Sequence, residues 1–265
     1  MAGGVQGRIP VRHIFMSFTE LHFRSDAPPA PLALARTALF LDLDGTLAPI
    51  AARPQDVVPD PRRTGILEKL GGRLDGRLAV VSGRTLCDID RILEGRVPAV
   101  AAVHGLVRRD ASGAVTQTPP HPAQPEAVAA LRLFAARHPG MLVEDKVLSA
   151  TLHYRGAPEQ AEAAGHEAVR IAARTGLALQ LGDMVVELRT PGPTKGDSVE
   201  AFLAHAPFMG AIPIFLGDDL TDEDGFAAAE RLGGYGVLVG PKRDTAARLR
   251  LDNVDAALAW LEAGR

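Results

Sequence analysis

The sequence predicts an α/β fold, a doubly wound parallel sheet with a smaller α+β unit inserted into it. Short apolar stretches typical of buried strands recur along the chain, and helix-forming stretches separate them. They lie at residues 38–43, 77–81, 99–103, 213–216 and 235–239. This alternation is the pattern of a parallel sheet covered by helices on both faces. Between residues 107 and 189 the pattern changes to hairpin strands mixed with two helices, which predicts the insertion.

These patterns predict three regions in the chain. Residues 36–106 and 190–265 form a core, and residues 107–189 form the inserted unit. Residues 1–35 end in the proline-rich stretch 27–31 and are expected to be a loose extension, since proline lacks a backbone donor and blocks helices.

The composition is that of an ordinary soluble globular protein, with 46% hydrophobic residues and a formal net charge of -3. No basic field and only 5% aromatic residues argue against a nucleic-acid partner. No apolar run approaches the ~20 residues that span a bilayer. The single cysteine, Cys87, excludes an intrachain disulfide and a cysteine metal cluster, and we expect it to be buried as a small apolar side chain. We therefore expect a cytoplasmic protein.

The first strand ends in two carboxylates, Asp42 and Asp44, followed by Gly45 and Thr46. In an open α/β sheet, ligands bind outside the carboxyl ends of the strands. Two acids at that edge suit a hard cation, or a nucleophile with an acid/base partner. The alternative is that Asp44 or Thr46 only caps a following helix.

Three further strand-end or loop signals follow in the chain. Ser82-Gly83-Arg84 ends the second strand, where helix amides could bind an anion, or the serine could be a plain helix cap. Lys195 precedes a helix predicted at 198–206, and could alternatively be a solvated lysine. Asp218 follows the strand at 213–216. The next acids are expected to be mostly a solvated helix start: Asp219, Glu223 and Asp224.

These four signals, in this order and with the insertion between the second and third, resemble the haloacid dehalogenase-like phosphohydrolases, which have a Rossmann-type core. The resemblance implies that Asp42 is a nucleophile that forms an aspartyl-phosphate. It implies that Asp44 protonates the leaving oxygen and then activates water. Mg²⁺ would be bound by Asp42, the backbone carbonyl of Asp44, and Asp218, with Asp222 orienting these ligands. The phosphoryl oxygens would be bound by Thr46, Ser82 and Lys195.

A closer resemblance is to the trehalose-6-phosphate phosphatases, and it covers nearly all of residues 37–260. The matching segments are residues 40–47, 81–84, 103–105, 144–146 with Ser149, 153–155, 186–189, 195–196 and 215–226. One departure is Val103, where many members carry a glutamate. The resemblance implies an Mg²⁺-dependent enzyme of trehalose biosynthesis that hydrolyses trehalose 6-phosphate to trehalose and phosphate.

In this family the inserted unit is a cap that selects the substrate. Glu144, Lys146 and Glu187 resemble the family's sugar contacts, whereas Arg84 and His104 would lie nearer the phosphate. Three alternatives remain open. Lys146 could be at a solvated hairpin tip, Arg84 could simply pair with a neighbouring carboxylate, and His153-Tyr154 could pack between cap and core.

Competing functions also remain open at this stage. The nearest is a phosphatase of the same fold for another sugar phosphate, such as sucrose or mannosyl-glycerate phosphate. A phosphomutase would return the phosphoryl group to the sugar, and a non-catalytic sugar-phosphate sensor would not need a nucleophile. The resemblance also suggests a functional link to a trehalose-6-phosphate synthase, and we expect a monomer.

Overall fold

A computed structural model describes residues 29–264, which form two sheets with helices packed against them. The strands, in chain order, are β1 (Thr37–Leu41), β2 (Leu78–Val81), β3 (Ala99–Ala102), β4 (Val107–Arg109), β5 (Val115–Gln117), β6 (Leu142–Asp145), β7 (Ser149–His153), β8 (Ala178–Gly182), β9 (Val185–Arg189), β10 (Ile212–Gly217), β11 (Tyr235–Val239) and β12 (Leu249–Leu251). The helices are α1 (Pro61–Arg73), α2 (Leu86–Leu93), α3 (Gln124–Ala135), α4 (Ala161–Thr175), α5 (Lys195–Leu203), α6 (Glu223–Arg231) and α7 (Val254–Glu262).

The larger sheet has eight strands in the order β12-β11-β10-β1-β2-β3-β4-β5. From β12 to β3 every neighbouring pair is parallel, and β1 lies between β10 and β2. All five residues of β1 are buried, as expected for a strand covered on both faces. The predicted α/β class with a mostly parallel sheet is therefore confirmed. The short edge strand β12 was not predicted.

The hairpin of β4 and β5 belongs to the larger sheet. Strand β4 pairs antiparallel with β3, placing Arg108 opposite Ala101, and β5 pairs with β4. The sequence pattern predicts a hairpin here, but as part of the inserted unit at 107–189. Its backbone instead completes the hydrogen bonds of the edge of β3, the strand directly before it in the chain. The strands of the smaller sheet lie within residues 142–189, and α3, which begins at Gln124, packs against them.

The cap is a four-stranded antiparallel sheet, in the order β6-β7-β9-β8, with α3 and α4 packed on one face. Its core contains small and aliphatic side chains from both helices and from the sheet, among them Leu131, Leu152, Ile171 and Leu188. The two faces of the larger sheet have cores of their own. The cap thus has a core of its own. It lies over the carboxyl edge of the larger sheet.

Two expectations about single segments are wrong. Within the predicted loose extension, residues 1–28 lie outside the described residues, but Leu32 and Leu34 are buried in the core. The indole N–H of Trp260 donates to the carbonyl of Ala30 at 2.8 Å, so the packed chain begins before residue 36. Cys87 is exposed, because it lies on the solvent side of α2. No helix in residues 29–264 is long and apolar enough to cross a membrane.

Candidate active site

The candidate site lies at the carboxyl ends of β1, β2 and β10. Asp42, Ser82 and Asp218 each follow one of these strands directly, and β1 is the middle strand of the three. Parallel strands present their carboxyl ends at one edge, so these side chains line the same open cleft. Cap residues Glu144 and Lys146 line its other side. The topology therefore brings the predicted core residues and cap residues together.

Gly45 allows the turn after β1 to approach Asp218. Its φ of +78° lies in the left-handed region that favours glycine, and a Cβ at this position would overlap the Asp218 carboxylate. The next residue, Thr46, is fully buried, and its hydroxyl oxygen has no hydrogen-bond partner among the described residues. Neither Asp44 nor Thr46 caps a helix, because the next helical turn, the 3₁₀ helix Pro54–Asp56, has Arg53 at its N-cap, and α1 is capped by Asp60.

Lys195 forms the centre of a buried charge cluster. It begins α5, so the predicted helix starts earlier than residue 198, and it is not a solvated surface lysine. Its Nζ lies 3.0 Å from Asp42 Oδ1 and 2.7 Å from Asp222 Oδ1. Burial alone would lower the pKa of Lys195, but the two carboxylates outweigh it and raise this pKa, so the side chain stays cationic.

Asp222 fixes the loop that carries Asp218. It is fully buried, and its Oδ2 accepts the backbone N–H groups of Asp218 at 2.9 Å and Asp219 at 3.0 Å. Its other oxygen accepts from Lys195. With both oxygens engaged by protein donors, Asp222 is suited to orienting its neighbours, the role that the family resemblance implies for it.

Asp42 and Asp218 are acids that burial and mutual repulsion hold back from ionising. Burial, together with Asp222 and Asp44, raises the pKa of Asp42 to about 8 despite Lys195. Burial, Asp42 and Asp222 raise the pKa of Asp218 to about 9. Oxygens of Asp42, Asp218 and Asp222 lie within 4.8 Å of one another, and Asp218 Oδ1 has no partner in the described part of the chain. An all-oxygen cluster with an orphaned acceptor fits a hard divalent cation.

Arg84 pairs with Asp44 through both carboxylate oxygens. The Nε and Nη2 atoms of Arg84 lie 2.6 and 2.7 Å from the two oxygens of Asp44. In the structure, Arg84 therefore pairs with a neighbouring carboxylate, which was one of the two alternatives for this residue. Ser82 is buried, and its hydroxyl accepts the backbone N–H of Arg84 at 3.3 Å. Thr85 is the cap of α2, so the alternative of Ser82 as a plain helix cap is wrong.

Glu187 accepts hydrogen bonds from several side chains on the cap side of the cleft. It lies on β9 between Thr151 of β7 and Gln180 of β8. Its Oε1 accepts from Ser149 at 2.6 Å, Thr151 at 3.0 Å and Lys146 at 3.2 Å. Burial alone would raise the pKa of Glu187, but Lys146 and His104 outweigh it and hold this pKa well below its usual value. Ser149, Thr151 and Gln180 were not predicted as site residues, because only the strand register places them beside Glu187.

Two contacts join cap and core at His104 and Lys146. His104 Nε2 lies 2.9 Å from Glu187 Oε2, and Lys146 Nζ donates to the carbonyl of Gly83 at 3.0 Å. His104 has a φ of +56°, and a Cβ on Gly83 would overlap its imidazole ring. Burial lowers the pKa of His104 although Glu187 acts to raise it. The Lys146 side chain is only 9% exposed, so it is not at a solvated hairpin tip.

Glu144 and His153 form a second, more open pair in the cap. Their Oε2 and Nε2 atoms lie 3.0 Å apart, and both residues line the cleft, so His153 does not only pack between cap and core. Burial would raise the pKa of Glu144, but His153 and Lys146 outweigh it and lower this pKa.

Two of the acids expected to be solvated are engaged instead. Asp219 Oδ2 accepts the backbone N–H of Asp183 at 3.3 Å, a further contact between core and cap. Glu223 accepts from Thr245 at 2.8 Å and from the backbone N–H of Ala246 at 2.7 Å. The third acid, Asp224, is exposed as expected.

We expect Glu187→Gln to destabilise the protein by about 3 kcal/mol at pH 7, the scale for breaking a buried ion pair. A carboxyl with a lowered folded pKa stabilises the fold above its unfolded pKa, here near 4.5, and this stabilisation is lost as pH falls through the folded pKa. The difference in unfolding free energy between wild type and variant should therefore not decrease from pH 8 to 5.5, and should shrink below pH 4.5. Urea unfolding across this pH range measures it.

The matched control is Glu162→Gln, which changes an exposed glutamate at the start of α4. It should stay within about 0.5 kcal/mol of wild type throughout. A difference for Glu187→Gln that persists unchanged at pH 3.5 would contradict the assignment of a charged, buried Glu187.

The fold and the site together define a phosphohydrolase of the haloacid dehalogenase type, with a central strand ending in Asp-x-Asp beside a buried lysine and a second acidic strand end. The family model for trehalose-phosphatase matches residues 40–255. The chain belongs to the trehalose-phosphatase family, and it is a phosphatase.

Individual relatives agree with this assignment. The chain is 42% identical over 236 residues to a trehalose-6-phosphate phosphatase of Escherichia coli, covering 88% of each chain. It is 38% identical to a probable trehalose-phosphate phosphatase of Sinorhizobium fredii, covering 77% of this chain and 78% of the relative. The solved C-terminal domain of trehalose-6-phosphate phosphatase from C. albicans has the same fold, with a TM-score of 0.77 at 22% identity over 88% of this chain and 97% of that one.

Proposed function

We propose that this chain hydrolyses trehalose 6-phosphate to trehalose and inorganic phosphate, with Mg²⁺ and through an aspartyl-phosphate on Asp42. The observation that carries the proposal is the buried cluster of Lys195 with Asp42, Asp218 and Asp222 at the sheet edge. A sensor would need to bind the phosphate but would gain nothing from a nucleophile held beside a buried cation. The family membership supports the sugar phosphate as the substrate class.

Mg²⁺ would be bound by the carboxylates of Asp42 and Asp218 and by the backbone carbonyl of Asp44. The raised pKa values of Asp42 and Asp218 support this, because two buried acids ionise together only when positive charge compensates them. When bound, the cation neutralises negative charge on the phosphoryl group and keeps Asp42 ionised. Asp222 would hold the Asp218 loop in place through the two backbone N–H groups that it accepts.

In the first step, an Asp42 carboxylate oxygen attacks phosphorus and the bond from phosphorus to the sugar oxygen breaks. Asp44 gives its proton to that leaving oxygen, so trehalose leaves as a neutral alcohol. Lys195, with the hydroxyls of Thr46 and Ser82, would bind phosphoryl oxygens. The unpartnered hydroxyl oxygen of Thr46 supports its role, since it is buried at the turn beside Asp42.

In the second step, water attacks the phosphorus of the aspartyl-phosphate. Asp44, now a carboxylate, takes a proton from this water while the bond between phosphorus and Asp42 breaks. Inorganic phosphate leaves, and Asp44 is again protonated for the next turnover. Asp44 loses a proton in the first step and regains one in the second, so the same residue serves both steps.

The cap would select the sugar and exclude bulk water from the cleft. Glu144 has one carboxylate oxygen free of the His153 contact, and Lys146 and Glu187 form the adjacent wall. Polar groups of this kind penalise a sugar whose hydroxyls leave them unpaired. Arg84 and His104 lie on the core side of the cleft. A monomeric, cytoplasmic enzyme that works alongside a trehalose-6-phosphate synthase is part of the same proposal.

The test is phosphate release from a panel of sugar phosphates, with Mg²⁺ and after chelation. We expect kcat/KM for trehalose 6-phosphate to exceed that for sucrose 6-phosphate and glucose 6-phosphate by at least about 10²-fold, because unpaired buried polar groups reject wrong sugars. EDTA should abolish turnover, and added Mg²⁺ should restore it. Preference for another sugar phosphate would overturn the substrate, and full activity in EDTA would overturn the role of the cation.

A further inference from the structure

We propose that Arg84 is a positioning residue that orients the Asp44 carboxylate for the dephosphorylation step. The inference rests on the proposed function, since it concerns the acid/base group of that reaction. It differs from the expectation that Arg84 contacts the substrate.

The geometry is a two-point fork. Nε and Nη2 of Arg84 lie on one edge of the guanidinium and donate to the two different oxygens of Asp44, at 2.6 and 2.7 Å. A planar guanidinium matches a carboxylate in this arrangement, which fixes orientation as well as distance. The Arg84 side chain is 10% exposed, whereas that of Asp44 is 36% exposed. A buried cation therefore holds an acid that faces the open cleft.

Arg84 is itself anchored on three sides. Its Nη1 donates to the carbonyl of Pro54 at 2.8 Å, and its backbone N–H donates to Ser82 Oγ at 3.3 Å. Its own carbonyl accepts the N–H of Val103 at 2.9 Å. The fork is thus attached to two strand ends and to the loop at residue 54, and it has little freedom to turn towards a ligand.

The fork fixes the orientation of the Asp44 side chain. Each oxygen of the carboxylate accepts one N–H group of Arg84, so both oxygens are held in place. In dephosphorylation, Asp44 starts as the carboxylate and takes a proton from water as the bond from phosphorus to Asp42 breaks. Arg84 therefore aligns the carboxylate for this step.

The test is a double-mutant cycle of Arg84→Gln with Asp44→Asn on the full chain with Mg²⁺ and trehalose 6-phosphate. Asp44→Asn alone should lower kcat by about 10²- to 10⁴-fold. Arg84→Gln alone should lower kcat by about 10- to 100-fold, with KM within about threefold of wild type. Because Arg84 acts through Asp44, the double variant should be no more than about threefold slower than Asp44→Asn. Acid quenching should trap several-fold more aspartyl-phosphate in Arg84→Gln than in wild type.

A matched control is Arg91→Gln. Arg91 lies on α2 and donates to the carbonyl of Val57 at 3.1 Å. Like Arg84, it therefore contacts the 54–57 loop, but it does not contact Asp44. It should keep wild-type kcat and KM. Arg84→Lys keeps the charge but cannot match both oxygens, and should give an intermediate kcat; it also serves if Arg84→Gln does not fold.

The outcomes separate the two levels of the proposal. If Asp44→Asn keeps wild-type kcat, the acid/base step of the proposed function fails. If Asp44→Asn is slow but the two effects multiply, or if Arg84→Gln raises KM tenfold at unchanged kcat, the proposed function stands and the positioning role is wrong. Arg84 would then be a substrate contact.

Discussion

Replacing Asp42 with asparagine is expected to lower kcat for trehalose 6-phosphate by at least about 10⁴-fold. The amide nitrogen and oxygen cannot replace a carboxylate nucleophile, and removal of a nucleophile costs catalysis on this scale. The same change should not weaken the fold. Asp42 is one of several buried acids that repel one another, and burial raises its pKa to about 8. Without that acid, we expect the Tm of the EDTA-treated protein to rise by about 2–4 °C.

The measurements are steady-state phosphate release and thermal unfolding of the same preparations. Asp75→Asn is the matched control, because it also replaces an aspartate with asparagine. Asp75 lies in an exposed turn before β2, at the opposite edge of the sheet from the site. It should retain wild-type activity. An Asp42→Asn protein with more than a tenth of the wild-type kcat would show that another group is the nucleophile.

Replacing Lys195 with methionine is expected to have the second-largest effect, and it should act on stability and activity together. Lys195 is 2% exposed and is the cationic partner of both Asp42 and Asp222. Removing it leaves the buried Asp222 carboxylate without its cationic partner and removes the charge that favours ionisation of Asp42. Loss of one partner of a buried pair costs about 3–5 kcal/mol. In a chain of this length that corresponds to a fall in Tm of about 6–15 °C. We also expect kcat to fall by at least about 10²-fold, since a phosphoryl contact is lost.

Part of the lost stability should depend on the carboxylates that Lys195 compensates. In an Asp42→Asn background, Lys195→Met should cost less unfolding free energy than in wild type, because one uncompensated acid is already gone. Lys69→Met, on the exposed face of α1, is the control for a lost lysine charge and should change Tm by less than about 2 °C. Equal costs of Lys195→Met in the two backgrounds would refute the coupling of Lys195 to Asp42.

The order of strands and helices was accessible from sequence because buried parallel strands are short, apolar and bounded by polar turns. The predicted runs became β1, β2, β3, β10 and β11. Asp42, Asp44, Ser82 and Asp218 could be placed at one edge in advance, because residues that follow parallel strands must meet there. Those inferences depend on local patterns and on a general property of the fold.

Other features depend on the tertiary structure. The hairpin of β4 and β5 could join the cap or extend the larger sheet, and its pairing with the edge of β3 decides between them. Leu32 directly follows the proline-rich stretch 27–31, which predicts a loose chain, yet it is fully buried in the core. Propensity does not register such long-range burial.

The sequence by itself determined the fold class, the acidic and basic motifs at the strand ends, and the resemblance to a phosphatase family. The tertiary structure decided which charges meet. Lys195 pairs with both Asp42 and Asp222, and Arg84 pairs with Asp44. Glu187 contacts donors from the cap, such as Lys146, and His104 from the core. The physical reason is that the state and orientation of a buried charge depend on partners a few ångströms away in space, which residue type and spacing along the chain do not specify.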